Sequence, residues 1–246
     1  MIYQTINGKN IISILFIVYI HCISPNVHAI DETISNIEYW DNFIEKLYQQ
    51  TEERALKPFS AVEILVRDFL WQIESDNPVL DIGCETGKNA ICLIESGHNV
   101  VLLDVAPKAI HYTLENLREL NLEGSVVGTY KGKIEEFDSE YGPFKAIVGT
   151  YVFSFIPPNV FEQVMKENIF DKMEIGGFFA GGFFGPEHTW ANDPTLTIIT
   201  KEKLEAFFVN RGFSICFIEE SKDMVVTVAG NEILFHTIKI VAQRIS

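Results

Sequence analysis

Apolar residues follow two patterns along the chain, and the change from one to the other lies near Pro78. Before Pro78, two segments repeat apolar side chains at intervals of three and four residues, as one face of an α-helix does. These stripes are Ile37, Trp40, Phe43, Ile44 and Leu47, followed by Val62, Leu65, Val66, Phe69 and Leu70. The spacing predicts two amphipathic helices ahead of the rest of the domain.

After Pro78, short apolar runs alternate with helical stretches. The predicted strands are residues 79–82, 99–103, 125–130 and 146–150, and the predicted helices are residues 89–96, 107–120 and 158–170. The runs are almost continuously apolar, which indicates strands buried on both faces. Alternation of strands and helices predicts right-handed crossovers and a parallel sheet.

The last third of the chain departs from this alternation. Residues 178–184 are strand-like, and a helix is predicted over residues 201–210, after Thr200. Residues 213–219 and 233–241 are predicted to pair as antiparallel strands.

The most informative segment is residues 79–89, a buried strand that leads through a glycine-flanked turn into a helix. Ligands of open α/β sheets bind at the carboxyl ends of the strands, and Gly83 and Gly87 leave the backbone accessible there. Asp81 is placed to organise the turn and to reach a cationic amino group, directly or through water. The next strand ends at Asp104, about 20 residues beyond the loop, the distance expected for a carboxylate that binds both ribose hydroxyls.

Three nucleotide-binding chemistries share this layout, and the glycine spacing separates them. A dinucleotide fingerprint requires G-x-G-x-x-G, whereas here Glu85 stands midway between Gly83 and Gly87, where it would repel a pyrophosphate. A P-loop requires Ser or Thr after its lysine, but Asn89 follows Lys88. An acid-rich loop suits a ligand with an ammonium, a sulfonium and no phosphate, which describes S-adenosylmethionine.

At these residues the chain resembles the class I S-adenosylmethionine-dependent methyltransferases, whose first motif, D-x-G-x-G-x-G, is matched by Asp81, Gly83 and Gly87. Residues 149–157 look like the fourth-strand motif of that family, which lies over the methionine end of the cofactor. Residues 176–242 are similar to small bacterial methyltransferases of the tellurite-resistance type.

The resemblance implies an α/β fold: a doubly wound, Rossmann-like, mostly parallel seven-stranded sheet with a C-terminal antiparallel hairpin, in three α/β/α layers. It also implies S-adenosyl-L-methionine as the cofactor. The cofactor-binding residues expected on this basis are Asp81, Gly83, Cys84, Gly87, Asp104, Val105, Ile134 and Thr150.

Two positions depart from the family pattern. Glu85 replaces the middle glycine, and Lys133 stands where many relatives carry an acid that binds the adenine amino group. Ile134 is expected to contact the adenine through its side chain and backbone amide. We expect weaker cofactor binding than in relatives because of Lys133.

Methyl transfer from a sulfonium is an in-line displacement, so the protein mainly supplies alignment and a dry pocket. A hydroxyl or amine acceptor would also need a base, and His188, in the loop after the fifth strand, is the candidate. Tyr151, Phe153 and Trp190 are expected to line the acceptor pocket. Tyr39 and Trp40 are candidates for a lid formed by the first helix.

The formal net charge of −15 over 246 residues opposes binding to phosphate backbones, and no Lys/Arg cluster interrupts it. We therefore expect a small-molecule acceptor and no nucleic-acid partner. Cys84, Cys92 and Cys216 are expected to be unpaired thiols.

Residues 1–29 resemble a signal peptide or an uncleaved membrane anchor, and residues 30–246 form the predicted catalytic domain. The membrane is expected as a partner only through an uncleaved segment. Export conflicts with a cytosolic cofactor, so the compartment stays open. Two alternatives also stay open: an NAD-dependent oxidoreductase of Rossmann type and a catalytically silent nucleoside-binding protein.

Overall fold

The computed structural model describes residues 34–50, 57–138, 141–226 and 231–246. The expected export segment, residues 1–29, lies outside the described residues. Within the ranges described, no helix is both long enough and apolar enough to cross a membrane.

Seven strands form a single mixed sheet in the order β3-β2-β1-β4-β5-β7-β6. The strands are β1 (Val79–Ile82), β2 (Val100–Asp104), β3 (Val126–Lys131), β4 (Phe144–Gly149), β5 (Met173–Phe184), β6 (Phe213–Val226) and β7 (Glu232–Arg244). Neighbouring strands from β3 to β5 run parallel, whereas β7 runs antiparallel to both β5 and β6. The predicted mostly parallel sheet with a C-terminal antiparallel hairpin is therefore confirmed.

Six α-helices flank the sheet in the described part of the chain. They are α1 (Ile34–Gln50), α2 (Ser60–Ile64), α3 (Lys88–Glu95), α4 (Pro107–Glu119), α5 (Phe161–Val164) and α6 (Lys201–Val209). Helix α2 continues as a π-helical turn over Leu65–Phe69, and α5 does so over Met165–Ile169. Helix α6 begins after Thr200, whose side chain accepts a hydrogen bond from the backbone N–H of Lys203.

The helices divide into two layers because side chains of a strand point alternately to its two faces. Leu80 and Ile82 of β1 point into one core, which α5 and α6 cover, and Val79 points into the other, which α1 to α4 cover. Both cores consist of buried apolar side chains. This arrangement confirms the three-layer α/β/α architecture.

The structure corrects the sequence-based elements in two places. Strand β3 is not buried on both faces: its residues alternate between half-buried and exposed because it lies at the edge of the sheet. Strands β5 and β6 are longer than predicted, since β5 begins at Met173 and β6 continues to Val226. Residues 219–223 are polar, so the sequence gives no apolar signal for the second half of β6. That half lies at the edge of the sheet opposite to β3.

Candidate active site

A cavity of about 260 Å³ opens at the carboxyl ends of the parallel strands. Its walls come from α1, the loop after β1, the end of β2, the loop after β3 and the segment after β4. This is the edge at which the sequence predicts a ligand.

The glycine loop after β1 makes its turn through three residues with positive φ. Gly83 has φ of 69° and Gly87 has φ of 92°, a region that glycine enters without steric cost. Glu85, between them, has φ of 50°, so the residue that replaces the family's middle glycine adopts a left-handed conformation as well.

Four backbone N–H groups of this loop donate to acceptors inside the protein. Phosphate-binding loops instead direct such groups toward the ligand. The donor–acceptor pairs are Gly83 with Leu103 O (2.8 Å), Cys84 with Leu103 O (3.3 Å), Glu85 with Asp104 Oδ2 (3.2 Å) and Gly87 with Cys84 O (2.8 Å). The loop is therefore not arranged as a phosphate cradle.

Asp104 ends β2, and its carboxyl group lines the cavity although only 7% of the residue is exposed. Oδ1 accepts the backbone N–H of Ala106 at 2.9 Å, and Oδ2 accepts that of Glu85. Burial raises the pKa of this carboxyl to about 7, and the two hydrogen bonds oppose the rise. The carboxylate is fixed in position with lone pairs left for a ligand.

Asp81 is fully buried beneath the loop and does not line the cavity. Its Oδ1 accepts a hydrogen bond from Asn89 Nδ2 at 3.4 Å, whereas Oδ2 has no partner among the described residues. Burial raises the pKa of Asp81 to about 7. The hydrogen bonds from Asn89 and from the Ala90 backbone oppose the rise, and the charges of Glu85 and Asp104 add to it. Its effect on a ligand would be exerted through the loop.

Cys84 and Gly87 face away from the cavity, toward α4. The Thr113 hydroxyl lies 3.6 Å from Cys84 Sγ, and a Cβ atom built on Gly87 would lie 3.0 Å from Thr113 Cγ2. Burial raises the pKa of the Cys84 thiol well above its usual range. These two residues shape the loop from behind.

The side of the cavity next to β2 and β3 is formed by the other residues that are expected to contact the adenosine. Val105 and Ile134 line it together with Lys133 and Glu135. Lys133 thus lies at the position where the sequence indicates an unfavourable change for adenine binding.

Thr150 and Tyr151, directly after β4, both line the cavity. Tyr151 has φ of 59°, and its N–H donates to Gly182 O at 3.1 Å, which fixes the bend. The Thr150 hydroxyl is buried without a partner in the described structure. Burial raises the pKa of Tyr151 above its ordinary value, although a hydrogen bond with Thr237 opposes the rise. A phenol in this setting keeps its proton at neutral pH.

His188 lies outside the cavity lining and is 3% exposed. Its ring stacks on Phe184 with centroids 4.1 Å apart, and Phe184 in turn stacks on Tyr151. Nδ1 accepts the backbone N–H of Trp190 at 3.0 Å, and Nε2 has no partner in the described region. Burial lowers the pKa of His188 to about 4, so the ring is neutral at pH 7 with its proton on Nε2. A role for His188 as a base stays a prediction that requires the loop to move.

Several cavity residues were not singled out from the sequence. Phe59, just before α2, meets Tyr151 edge to face with ring centroids 5.8 Å apart, and Phe155 meets Trp40 in the same way at 5.2 Å. Of the residues expected in a lid or an acceptor pocket, Trp40 and Tyr151 line the cavity. Its lining does not include Tyr39, Phe153 or Trp190, and a lid stays a prediction. The aromatic spacing in the sequence contained a signal for Trp40 and Phe43 of α1, whereas Phe59 and Phe155 belong to no periodic stripe.

Sequence and structure comparisons agree with this geometry. Residues 79–170 match the sequence model of a family described as a methyltransferase domain. No curated protein sequence matches the chain significantly.

The fold is similar to that of TehB from Haemophilus influenzae, with a TM-score of 0.60 and 18% identity over 83% of this chain and 67% of that one. It is also similar to the magnesium protoporphyrin IX methyltransferase ChlM from Synechocystis PCC 6803, solved with bound S-adenosylmethionine. The TM-score there is 0.63, with 14% identity over 88% of this chain and 98% of that one.

The resemblance to class I S-adenosylmethionine-dependent methyltransferases is therefore confirmed, by the family match over residues 79–170 and by the fold over most of the chain. S-adenosylmethionine, which the resemblance implies as cofactor, agrees with both findings. Among the residues described, no cluster of three or more His, Cys, Asp or Glu side chains is arranged to hold a metal ion.

Proposed function

We propose that the protein is a methyltransferase that transfers the methyl group of S-adenosylmethionine to a small, uncharged and largely apolar acceptor. The observation that carries the proposal is the glycine loop, four of whose N–H groups donate internally while the Asp104 carboxylate stays at the cavity wall. This favours a nucleoside with hydroxyls and positive charge over one with phosphates.

The residues fit that cofactor by their chemistry. Asp104 would accept the ribose hydroxyls, while Val105 and Ile134 would contact the adenine. Gly83 and Thr150 would contact the methionine portion, and the negative charge of Glu85 at the wall favours a cation. Asp81, Cys84 and Gly87 would support the loop from below.

When bound, the cofactor supplies a methyl group already activated by the sulfonium charge. The protein's contribution is orientation and exclusion of water. Trp40, Phe43 and Phe59 wall one part of the cavity, and Tyr151 and Phe155 continue it beyond β4. Their ring faces also favour a cationic methyl group.

The part of the cavity formed by α1 and by the segment after β4 supports the proposed acceptor class. The charged side chains of the cavity, Glu85, Lys88, Asp104, Lys133 and Glu135, all lie at or just after the carboxyl ends of β1, β2 and β3, on the cofactor side. The α1 and post-β4 walls present aromatic and aliphatic surface, because the Thr150 hydroxyl is buried and the Tyr151 hydroxyl is hydrogen-bonded with Thr237. Such a surface suits a neutral acceptor better than a nucleic acid, which the net charge of −15 also disfavours.

Incubation with methyl-labelled S-adenosylmethionine and fractionated cell extract tests this proposal. We expect label in a small, organic-extractable product that depends on the protein. Label confined to nucleic acid would contradict the acceptor class. Absence of any product, with cofactor binding intact, would favour the silent nucleoside-binding alternative.

A further inference from the structure

Asn89 lies in the first turn of α3 and is 3% exposed. Its side-chain amide makes two hydrogen bonds in different directions. Oδ1 accepts the backbone N–H of Phe59 at 3.2 Å, and Nδ2 donates to Asp81 Oδ1 at 3.4 Å. Because a backbone N–H can only donate, the bond to Phe59 fixes the amide orientation, and the NH₂ group must face the carboxyl group.

The two partners of Asn89 belong to different parts of the candidate site. Asp81 leads directly into the glycine loop. Phe59 comes from the separate segment before α2, and its ring lines the cavity beside Tyr151. The Phe59 carbonyl also accepts two N–H groups from the first turn of α2. Asn89 is thus the polar connection between the loop and this aromatic wall.

We propose that Asn89 is a positioning residue that couples binding of a positively charged cofactor at the glycine loop to the placement of the Phe59 wall. This inference rests on the proposed function, because it assumes that the cofactor carries positive charge into the cavity beside the loop.

The coupling follows from the charge state of Asp81. The charged groups that act on it, Glu85 in the loop and Asp104 on β2, both disfavour its ionisation, as does burial. A cation in the cavity favours ionisation instead. An ionised carboxylate accepts a stronger hydrogen bond from Asn89, and polarisation of the amide strengthens the bond that Asn89 Oδ1 accepts from the Phe59 N–H.

Hydrogen exchange of the Phe59 backbone amide measures the strength of the hydrogen bond to Asn89, because that N–H is the donor. We would measure exchange by NMR in the full chain, with and without S-adenosylmethionine, for the wild type and Asn89→Ala. Asn77→Ala is the matched control: Asn77 also donates from its amide to a carboxylate, Glu174 Oε2 at 2.6 Å, but next to the amino end of β1.

In the wild type and the control, we expect the cofactor to slow exchange at Phe59 by about tenfold, which corresponds to one strengthened hydrogen bond. In Asn89→Ala, exchange should be fast without the cofactor and should change little when it is added. Calorimetry should show a several-fold loss of cofactor affinity in Asn89→Ala and no comparable loss in Asn77→Ala.

The double variant Asp81→Asn/Asn89→Asp separates coupling from a merely structural role. It keeps an acceptor for Phe59 and a donor between the two positions, but it moves the carboxylate. We expect protection of Phe59 without cofactor to return, and the pH dependence of cofactor affinity between about pH 6 and 8 to differ from that of the wild type. This variant also serves if Asn89→Ala does not fold.

Two results would overturn the inference alone: cofactor-dependent slowing at Phe59 that persists in Asn89→Ala, or an unchanged pH profile of affinity in the double variant. A wild-type protein that binds no S-adenosylmethionine in calorimetry would overturn the proposed function, and the coupling with it. The outcomes are distinguishable because binding by the wild type is measured first.

Discussion

At the scale of single residues, the Asp104 carboxylate both stabilises the backbone around the cavity and faces the cavity. It accepts two backbone N–H groups and still reaches the cavity. We expect Asp104→Ala to weaken S-adenosylmethionine binding by about 1.5–3 kcal/mol for each charge-assisted hydrogen bond that is lost. Calorimetry measures the change, with the exposed Asp138→Ala as control. Affinity equal to that of the wild type would contradict the placement of the ribose.

The buried carboxyls also predict how stability depends on pH. Asp81 and Asp104 have pKa values raised from 3.8 to about 7, so the folded protein holds protons that the unfolded chain releases. The stability from these groups is complete below about pH 4 and is lost as pH rises through about 7.

Urea unfolding of the cofactor-free protein between about pH 5 and 8 checks this expectation. The contribution of the two groups should fall across that range, and Asp81→Asn should flatten the dependence because it removes one of them. A slope that is unchanged in Asp81→Asn would show that Asp81 does not titrate in this window.

Lys133 gives a prediction in the direction of improved binding. It lines the cavity where many relatives have an acid for the adenine amino group. We expect Lys133→Asp to tighten S-adenosylmethionine binding by about 1 kcal/mol, the worth of one hydrogen bond. Lys131→Asp, an exposed charge reversal on β3, is the calorimetric control. Equal effects of both variants would indicate a general charge effect.

At the scale of elements, the loop between β1 and α3 depends on space behind it as well as on backbone freedom. Gly87 and Gly97 both have φ near 90°, but a Cβ on Gly87 would press against Thr113, whereas one on Gly97 meets nothing within 4 Å. Each alanine substitution costs about 1–2 kcal/mol in backbone strain.

We expect Gly87→Ala to cost about 1 kcal/mol more than Gly97→Ala in the free energy of unfolding, measured by urea denaturation, because of that contact. It should also weaken cofactor binding by shifting the loop, which Gly97→Ala should not do. Equal costs for the two variants would mean that α4 yields to the added methyl group.

The main elements could be predicted because their apolar patterns are strong. Strand β1 lies at the predicted residues, and Asp104 ends β2 as expected. The second half of β6 could not be predicted, since an edge strand faces solvent and its polar residues give no alternation. The hydrogen bond between Asn89 and Phe59 could not be predicted from the sequence either, because it joins residues 30 apart that only tertiary packing brings together.

The candidate site was predicted unevenly for the same reason. Gly83, Asp104 and Thr150 lie where the motifs indicate. The burial of His188 could not be read from a loop sequence, because it depends on stacking against Phe184 and on an edge-to-face contact with Phe235, which only the pairing of β5 with β7 brings to the loop.

At the scale of the whole molecule, the sheet order brings the ends of β1, β2 and β4 together beneath one cavity. Helix α1 and the Phe59 segment close that cavity from the side. The net charge of −15 is a property of the surface at large, and the absence of a nucleic-acid partner stays a prediction.

Titration calorimetry of the purified protein with S-adenosylmethionine, NAD and ATP measures which nucleoside the cavity binds. We expect saturable binding of S-adenosylmethionine, one molecule per chain, and no measurable heat with NAD or ATP, because four loop N–H groups are already used and the Glu85 side chain lies at the wall. Tight binding of NAD or ATP without binding of S-adenosylmethionine would contradict it.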